Sequence, residues 1–330
     1  MSGLERHWYR ITPLHLILFP VSLIFRMLVA LRRALYRSGM LPSQRLPLPV
    51  IIIGNISVGG TGKTPLTLAL TQHLIARGWH PLIISRGYGR SNTSPQPVTL
   101  SSTAAQAGDE PLLMAQRNIC PVWVGADRCA TARKALSAHP QCDVVLCDDG
   151  LQHYRLQRDV EIAVIDGTRR FGNGLLLPAG PLREPVSRLK KMDAVVVNGN
   201  NDASGQYAMH LTGNTFHNLL DPEIKVPADY FQSKKNHAVA GIGHPQRYFQ
   251  HLEKLDIPHT PHTFPDHHPY CAADLSFPDC DAVLMTEKDA VKCATFADAR
   301  YWVLRVDAQI DPGLIDHILR KIAPHGHQTA

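Results

Sequence analysis

The apolar run Val50-Ile51-Ile52-Ile53 opens into a glycine-rich turn, then into Gly62-Lys63-Thr64, and then into leucines at helical spacing, Leu66, Leu70 and Leu74. No other stretch constrains the fold as tightly, because strand, loop and helix in direct succession place a helix N-terminus at the carboxyl end of a strand. Backbone N–H groups at such a terminus, unobstructed where the loop is glycine, point inward and wrap phosphate oxygens. The expected nucleotide-binding set is Ser57, Val58, Gly59, Gly60, Thr61, Gly62, Lys63 and Thr64. Lys63 would reach the β- and γ-phosphates, and the Thr64 hydroxyl would ligate Mg²⁺. Ser57 stands where the strict phosphate-loop pattern has glycine. Pro65 is tolerated because a first-turn residue has no intrahelical use for an N–H.

The alternation continues downstream. Pro81 to Ser85 reads as a buried strand that ends in Arg86-Gly87-Tyr88-Gly89-Arg90, whose arginines would either hold a phosphorylated substrate or be solvated. A polar linker, Ser91 to Ala107, leads to Gly108-Asp109-Glu110-Pro111 and a helix. Asp109 and Glu110 occupy a first turn, where the helix dipole favours carboxylates, so capping competes with catalysis as their role. Pro121 to Val124 is a further strand and Ala126 to Ala138 a further helix.

Asp143-Val-Val-Leu-Cys-Asp148-Asp149 carries the second strong signal. An acid at the carboxyl end of a buried strand, downstream of a phosphate loop, is what a Mg²⁺ coordination shell needs. Asp148 is the expected metal residue, and Asp149 points elsewhere because side chains alternate along a strand. Strands at Glu161 to Asp166, Ala194 to Val197, His237 to Ile242, Ala282 to Thr286 and Tyr301 to Val306 follow, with a last helix at Pro312 to Ile322.

The expected class is therefore α/β: a doubly wound sheet of the P-loop NTPase type with a second, smaller α/β domain. The expected boundaries are 1–40 for an N-terminal helical region, 41–160 for the nucleotide-binding domain, completed by a C-terminal segment at 308–330, and 161–307 for the second domain. If Tyr301 to Val306 pairs with Glu161 to Asp166, the two form a two-stranded hinge.

Charge is placed unevenly. Of a net +6, residues 1 to 40 hold Arg6, Arg10, Arg26, Arg32, Arg33 and Arg37 against Glu5, which leaves about +1 for the remainder and gives no reason to expect a nucleic-acid partner. Leu14 to Tyr36 is apolar apart from Arg32 and a stripe of His15, Ser22, Arg26, Arg33 and Arg37. Its uninterrupted run ends at Arg26 and contains Pro20, short of the ~20 residues that span a bilayer. An amphipathic helix lying in a membrane interface, arginines at anionic headgroups, is the expected form. Seven cysteines without metal-ligand spacing fit a reduced, cytosolic compartment.

Taken together, these residues point to an ATP-dependent enzyme or a nucleotide switch. An acceptor hydroxyl would need a base, and the candidates are Asp109, Asp149, His153 and the run Asp266-His267-His268.

The chain also resembles the tetraacyldisaccharide 4′-kinases of lipid A biosynthesis. The resemblance runs through Val58-Gly-Gly-Thr-Gly-Lys-Thr-Pro65, Ser85-Arg-Gly-Tyr-Gly89, Gly108-Asp-Glu-Pro111 and Asp148-Asp-Gly-Leu-Gln-His153. It continues through Leu177-Pro-Ala-Gly-Pro-Leu-Arg-Glu184, Phe264-Pro-Asp-His267 and Thr286-Glu-Lys-Asp-Ala-Val-Lys292. It implies transfer of a phosphoryl group from ATP, with Mg²⁺, to the 4′-hydroxyl of a lipid A disaccharide 1-phosphate. It also implies a location at the cytoplasmic face of a bacterial inner membrane, met through the N-terminal helix. In this resemblance Asp109 is the base or hydroxyl-orienting group with His267 as partner, Asp148 and Asp149 belong to the Mg²⁺ and phosphate site, and Glu110 and Glu184 to its surroundings. The competing classes are a membrane-recruited nucleotide switch or partitioning ATPase, and a nucleotide-binding module without catalysis. Neither needs Asp109 and His267 to converge.

Overall fold

The computed structural model describes residues 7–9, 12–90, 92–199 and 204–323. Arg6 and Arg10 of the basic N-terminus, Ser91 of the linker and 324–330 of the expected closing segment lie outside the described residues.

The first sheet has nine strands: β1 (Val50–Gly54), β2 (Pro81–Ser85), β3 (Gln96–Val98), β4 (Val122–Val124), β5 (Val144–Asp148), β6 (Val160–Asp166), β7 (Ala194–Asn198), β8 (Tyr207–Thr212) and, far along the chain, β15 (Asp307–Ile310). Their spatial order is β15-β8-β7-β6-β1-β5-β2-β4-β3, antiparallel only where β15 and β3 close the two edges. β1 is central, and both faces of it are covered. Ile51 and Ile53 join a cluster with Leu66 and Leu70 of α2 (Lys63–Ile75), while Val50 and Ile52 join the opposite cluster with Ala132 and Ala135 of α5 (Arg128–Ala138). Burial on both sides is why the strand is unbroken Val-Ile-Ile-Ile with no polar alternation. Each such side chain contributes about 1.5–3 kcal/mol on leaving water.

The second sheet holds β9 (Thr215–Asn218), β10 (Lys225–Pro227), β11 (Asn236–Ala240), β12 (Thr260–Thr263), β13 (Ala282–Thr286) and β14 (Tyr301–Leu304), in the order β10-β9-β14-β13-β11-β12. The helices α6 (Pro245–Lys254) and α7 (Glu287–Cys293) belong to it, and α8 (Pro312–Ile322) packs Leu314, Ile315 and Ile318 into the core of the first sheet.

The expected pairing of Tyr301 to Val306 with Glu161 to Asp166 is not made. β14 pairs with β13 and β9, and β6 lies between β1 and β7. An apolar run such as Tyr-Trp-Val-Leu fits any doubly covered strand, so composition could not choose its neighbour. The chain passes between the sheets at two other points, Gly213-Asn214 between β8 and β9 and Arg305-Val306 between β14 and β15. Because β6, β7 and β8 hydrogen-bond into the first sheet, we propose that the units divide at these crossings rather than at residue 160.

At the N-terminus, α1 (Leu14–Arg37) is one continuous helix of 24 residues with Pro20 inside it. At about 36 Å it has the length and composition to cross a bilayer, longer than the run ending at Arg26 suggested, and it is the one such helix among the described residues. Its orientation also departs from the expected stripe: His15 and Ser22 face the protein, where the Ser22 hydroxyl donates to the Leu176 carbonyl at 2.6 Å and accepts from the Ala179 N–H at 3.0 Å.

Candidate active site

The phosphate loop hangs between the end of β1 and the start of α2. Gly62 caps α2 at φ +98, a conformation that L side chains rarely adopt, and a Cβ there would collide with Asn198 and Met209. The loop is held on several sides: Asn198 Nδ2 donates to the Thr61 carbonyl at 3.0 Å, the Val58 N–H donates to the Pro181 carbonyl at 2.8 Å, and the Asn55 amide donates to the Gly59 carbonyl and the Thr61 hydroxyl, each at 3.3 Å. Lys63 Nζ lies 3.5 Å from Asp149 Oδ1.

Asp148 ends β5 fully buried, with Thr67 Oγ1 at 3.4 Å from its Oδ1 and no hydrogen-bond partner on Oδ2. Burial, then the charge of Glu110, pushes its carboxyl up to about 7. Asp149, one residue on, turns away at φ +49. Burial alone would raise its pKa, but Lys63 and Arg183 outweigh burial and hold it down at about 2. Two adjacent aspartates therefore differ in charge preference because of what surrounds each one.

Across the cleft, His267 brings Nδ1 to 2.9 Å from Asp109 Oδ2. Asp109 opens α4 (Asp109–Gln116), and Lys292 Nζ stands 3.8 Å from the same oxygen. Burial would raise this carboxyl as well, but the His267 hydrogen bond and the charges of Lys292 and Lys288 outweigh it and hold Asp109 below the ordinary carboxylate range. Lys288 Nζ pairs with Glu110 Oε1 at 3.2 Å and with Asp266 Oδ1 at 3.0 Å. Gly62, Lys63, Thr64 and Glu110 from one unit, with Gly243 and Lys288 from the other, line a cleft of about 550 Å³. The Asp109–His267 pair adjoins this cleft through Glu110 and Lys288, which line it, while the phosphate loop supplies another part of its wall.

A family model described as tetraacyldisaccharide-1-P 4′-kinase matches residues 14–323. The chain belongs to this family. Among similar proteins, the tetraacyldisaccharide 4′-kinase of Methylobacillus flagellatus is 49% identical over 319 residues, 97% of this chain and 95% of that one. The tetraacyldisaccharide 4′-kinase of Pseudomonas aeruginosa PAO1 is 48% identical over 311 residues, 93% of each chain. A crystal structure of LpxK from Aquifex aeolicus in complex with ATP superposes with a TM-score of 0.78 at 28% identity, covering 94% of this chain and 99% of that one. Tetraacyldisaccharide-1-P 4′-kinases are phosphotransferases with an alcohol acceptor, so this chain is a kinase of the α/β phosphate-loop class.

Not every residue singled out in this kinase's sequence meets the cleft. Glu184 is fully buried behind the loop, accepting from Gln152 Nε2 at 2.8 Å and from the Tyr154 hydroxyl at 2.9 Å, with Arg188 at 3.4 Å. Gln152 also donates to the Asn55 carbonyl at 3.1 Å, which ties Glu184 to the base of the phosphate loop. His153 lies beside Asp127 and Cys129, away from the cleft, and burial with nearby Arg128 lowers it to about 4. Arg90 donates to the Ser94 carbonyl and Arg86 is exposed, so the described contacts of neither reach the cleft.

Sequence reasoning gave no role to Asp166. It ends β6 as Asp148 ends β5, and binds Arg169 at 3.3 Å, His244 at 3.3 Å and Arg247 at 2.9 Å. Arg169 in turn donates to the carbonyls of Gly60 at 2.8 Å and Gly243 at 2.9 Å, fastening the phosphate loop to the second unit. An acid closing a buried strand was the signal that could have found it.

Proposed function

We propose that this kinase moves the γ-phosphoryl group of ATP to the 4′-hydroxyl of a tetraacyldisaccharide 1-phosphate, the lipid A precursor, at the cytoplasmic face of a bacterial inner membrane. The observation that carries the reading is the Asp109–His267 pair, 2.9 Å apart, adjoining the cleft that the phosphate loop lines.

Asp109, held ionised, takes the proton of the acceptor hydroxyl as the oxygen attacks phosphorus, and His267 orients the carboxylate. Lys63 leaves Asp149 to meet phosphate oxygens, and Asp149 with Arg183 keeps it within reach. Asp148 and Thr64 offer the hard oxygen donors that Mg²⁺ requires, and the unpartnered Oδ2 of Asp148 supports this fit. Bound there, Mg²⁺ would neutralise charge building on the phosphates. Glu110 stays at the cleft wall through Lys288, and Glu184 steadies the loop from behind through Gln152.

The membrane reading rests on α1. Leu16, Ile17 and Met27 are 80%, 73% and 70% exposed, with Ile24, Leu28 and Leu31 beside them, so the outward face is apolar and uncovered by the protein. A bilayer interface would cover it and bring the site to a membrane-resident glycolipid.

The test is incubation of the purified chain with ATP labelled at the γ-phosphate and a detergent-dispersed disaccharide 1-phosphate acceptor. Label should move to the lipid. Label released only as inorganic phosphate would make the protein an ATPase or a switch.

A further inference from the structure

Lys288 projects from α7 to three acceptors on two other parts of the molecule: Glu110 Oε1 on α4 at 3.2 Å and, on the 264–269 loop, Asp266 Oδ1 at 3.0 Å and His267 Nε2 at 3.4 Å. An ammonium carries three N–H donors and no lone pair, so Nε2 of His267 can meet it only as an acceptor. The ring proton then resides on Nδ1, and Nδ1–H donates to Asp109 Oδ2 at 2.9 Å. His267 sits at φ +61, in the sparsely populated left-handed region, so its ring direction depends on partners more than on backbone preference.

We propose that Lys288 is a positioning residue for phosphoryl transfer: by donating to Nε2 it fixes the tautomer and orientation of His267, and through it aims the carboxylate of Asp109 at the acceptor hydroxyl. The same ammonium ties α4 to the 264–269 loop, so the pair is assembled only while both walls of the cleft are in register. This rests on the reading of Asp109 as the proton acceptor.

The groups around the pair fix the direction of the pH effect. They are Glu110 on α4, Asp266 on the loop, Lys288, Asp289 and Lys292 on α7, and Tyr88, whose ring centroid lies 5.3 Å from that of His267. Removing the Lys288 cation takes one basic neighbour from Asp109 and leaves Glu110 and Asp266 without the charge that now offsets them. Its protonated form is then favoured, and the pH below which the base is lost moves upward.

Lys288→Met and Lys288→Arg, with Asp109→Asn beside them, are assayed on a detergent-dispersed acceptor across pH, and ATP affinity is measured separately. Lys288→Met should lower kcat about 10- to 100-fold, less than loss of the base itself, with KM for ATP within about threefold. Its acid limb should move up by about half a unit or more, and Lys288→Arg, which can still donate, should recover most of both. An unchanged kcat, or a loss confined to KM for ATP with the acid limb unmoved, overturns the proposal in favour of a prop or a direct phosphate contact. An active Asp109→Asn removes the base assignment and this proposal with it, whereas an inactive one beside an unmoved Lys288→Met limb removes this proposal alone. Should Lys288→Met not fold, the ¹⁵N shifts of His267 in the wild-type chain decide: a protonated Nδ1 is expected, and a protonated Nε2 with bare Nδ1 overturns it.

Discussion

Asp109 and His267 are separated by 158 positions in the chain, yet Oδ2 of one and Nδ1 of the other stand 2.9 Å apart, one on a helix of the first unit and one on a loop of the second. Neither unit contains the pair, so it exists only where the two meet. Asp109→Ala or His267→Ala should lower kcat by about 10²–10⁴-fold with modest change in ATP affinity. If they act as a pair, the double variant should lose less than the product of the single losses. Steady-state assay of all three decides this, and multiplicative losses would assign them separate tasks.

Lys63 is almost covered and already faces the cleft, braced by Asp149. Lys63→Ala should abolish phosphoryl transfer, because such a site works chiefly by placing the phosphates and neutralising their charge. Binding of the lipid acceptor, measured in the absence of ATP, should persist. Turnover near the wild-type rate in a folded variant would remove the phosphate-loop assignment.

Asp166 is 2% exposed and faces Arg169, His244 and Arg247. Burial would raise its carboxyl, but the His244 hydrogen bond and the two arginines outweigh it and hold it far below the ordinary range. The folded pKa is depressed, so this carboxylate adds stability above its unfolded pKa of about 4, and the contribution is lost as pH falls from there toward the folded value. Asp166→Asn should therefore cost about 2–4 kcal/mol at pH 7 and progressively less below pH 4. Urea unfolding at several pH values measures the difference, and a pH-independent cost would mean that packing rather than charge is lost.

The exposed side chains of α1 touch little of the protein, so changing them should separate location from chemistry. Leu16, Ile17 and Met27 replaced together by Gln should leave the melting temperature and the activity on detergent-dispersed acceptor nearly unchanged, while co-sedimentation with anionic liposomes falls by at least tenfold. Arg26, Arg33 and Arg37 to Gln should weaken the same binding by roughly 3 kcal/mol at low salt and by less at high salt. Salt-insensitive sedimentation that survives both sets of changes would place the contact elsewhere.

What could be read in the sequence was what is local in it. The phosphate loop, Asp148 and the doubly covered strands announce themselves through consecutive residues whose chemistry needs no distant partner. β8 and β15 did not, because Tyr-Ala-Met-His-Leu-Thr and Asp-Ala-Gln-Ile are half-exposed strands, one at the edge of the sheet and one beside it, whose mixed polarity resembles that of loops. The docking of α1 on the protein was not legible for a related reason. A wheel shows which residues share a face, but it does not show that Ser22 would find the Leu176 carbonyl 154 positions away. The roles of Asp109 and His267 came from resemblance, and the ammonium bridging Glu110, Asp266 and His267 joins three separate elements, which no spacing rule encodes.

Thr212 and Asp307 are direct partners across the antiparallel pair of β8 and β15. The 94 residues between them leave the first sheet and return to it at one rung of the same ladder, so that the whole second unit is an insertion with neighbouring ends. A short turn in its place would leave the edge ladder of the parent sheet intact. Gly243 and Lys288 thus reach the cleft on a unit that is tethered to the parent sheet at a single rung.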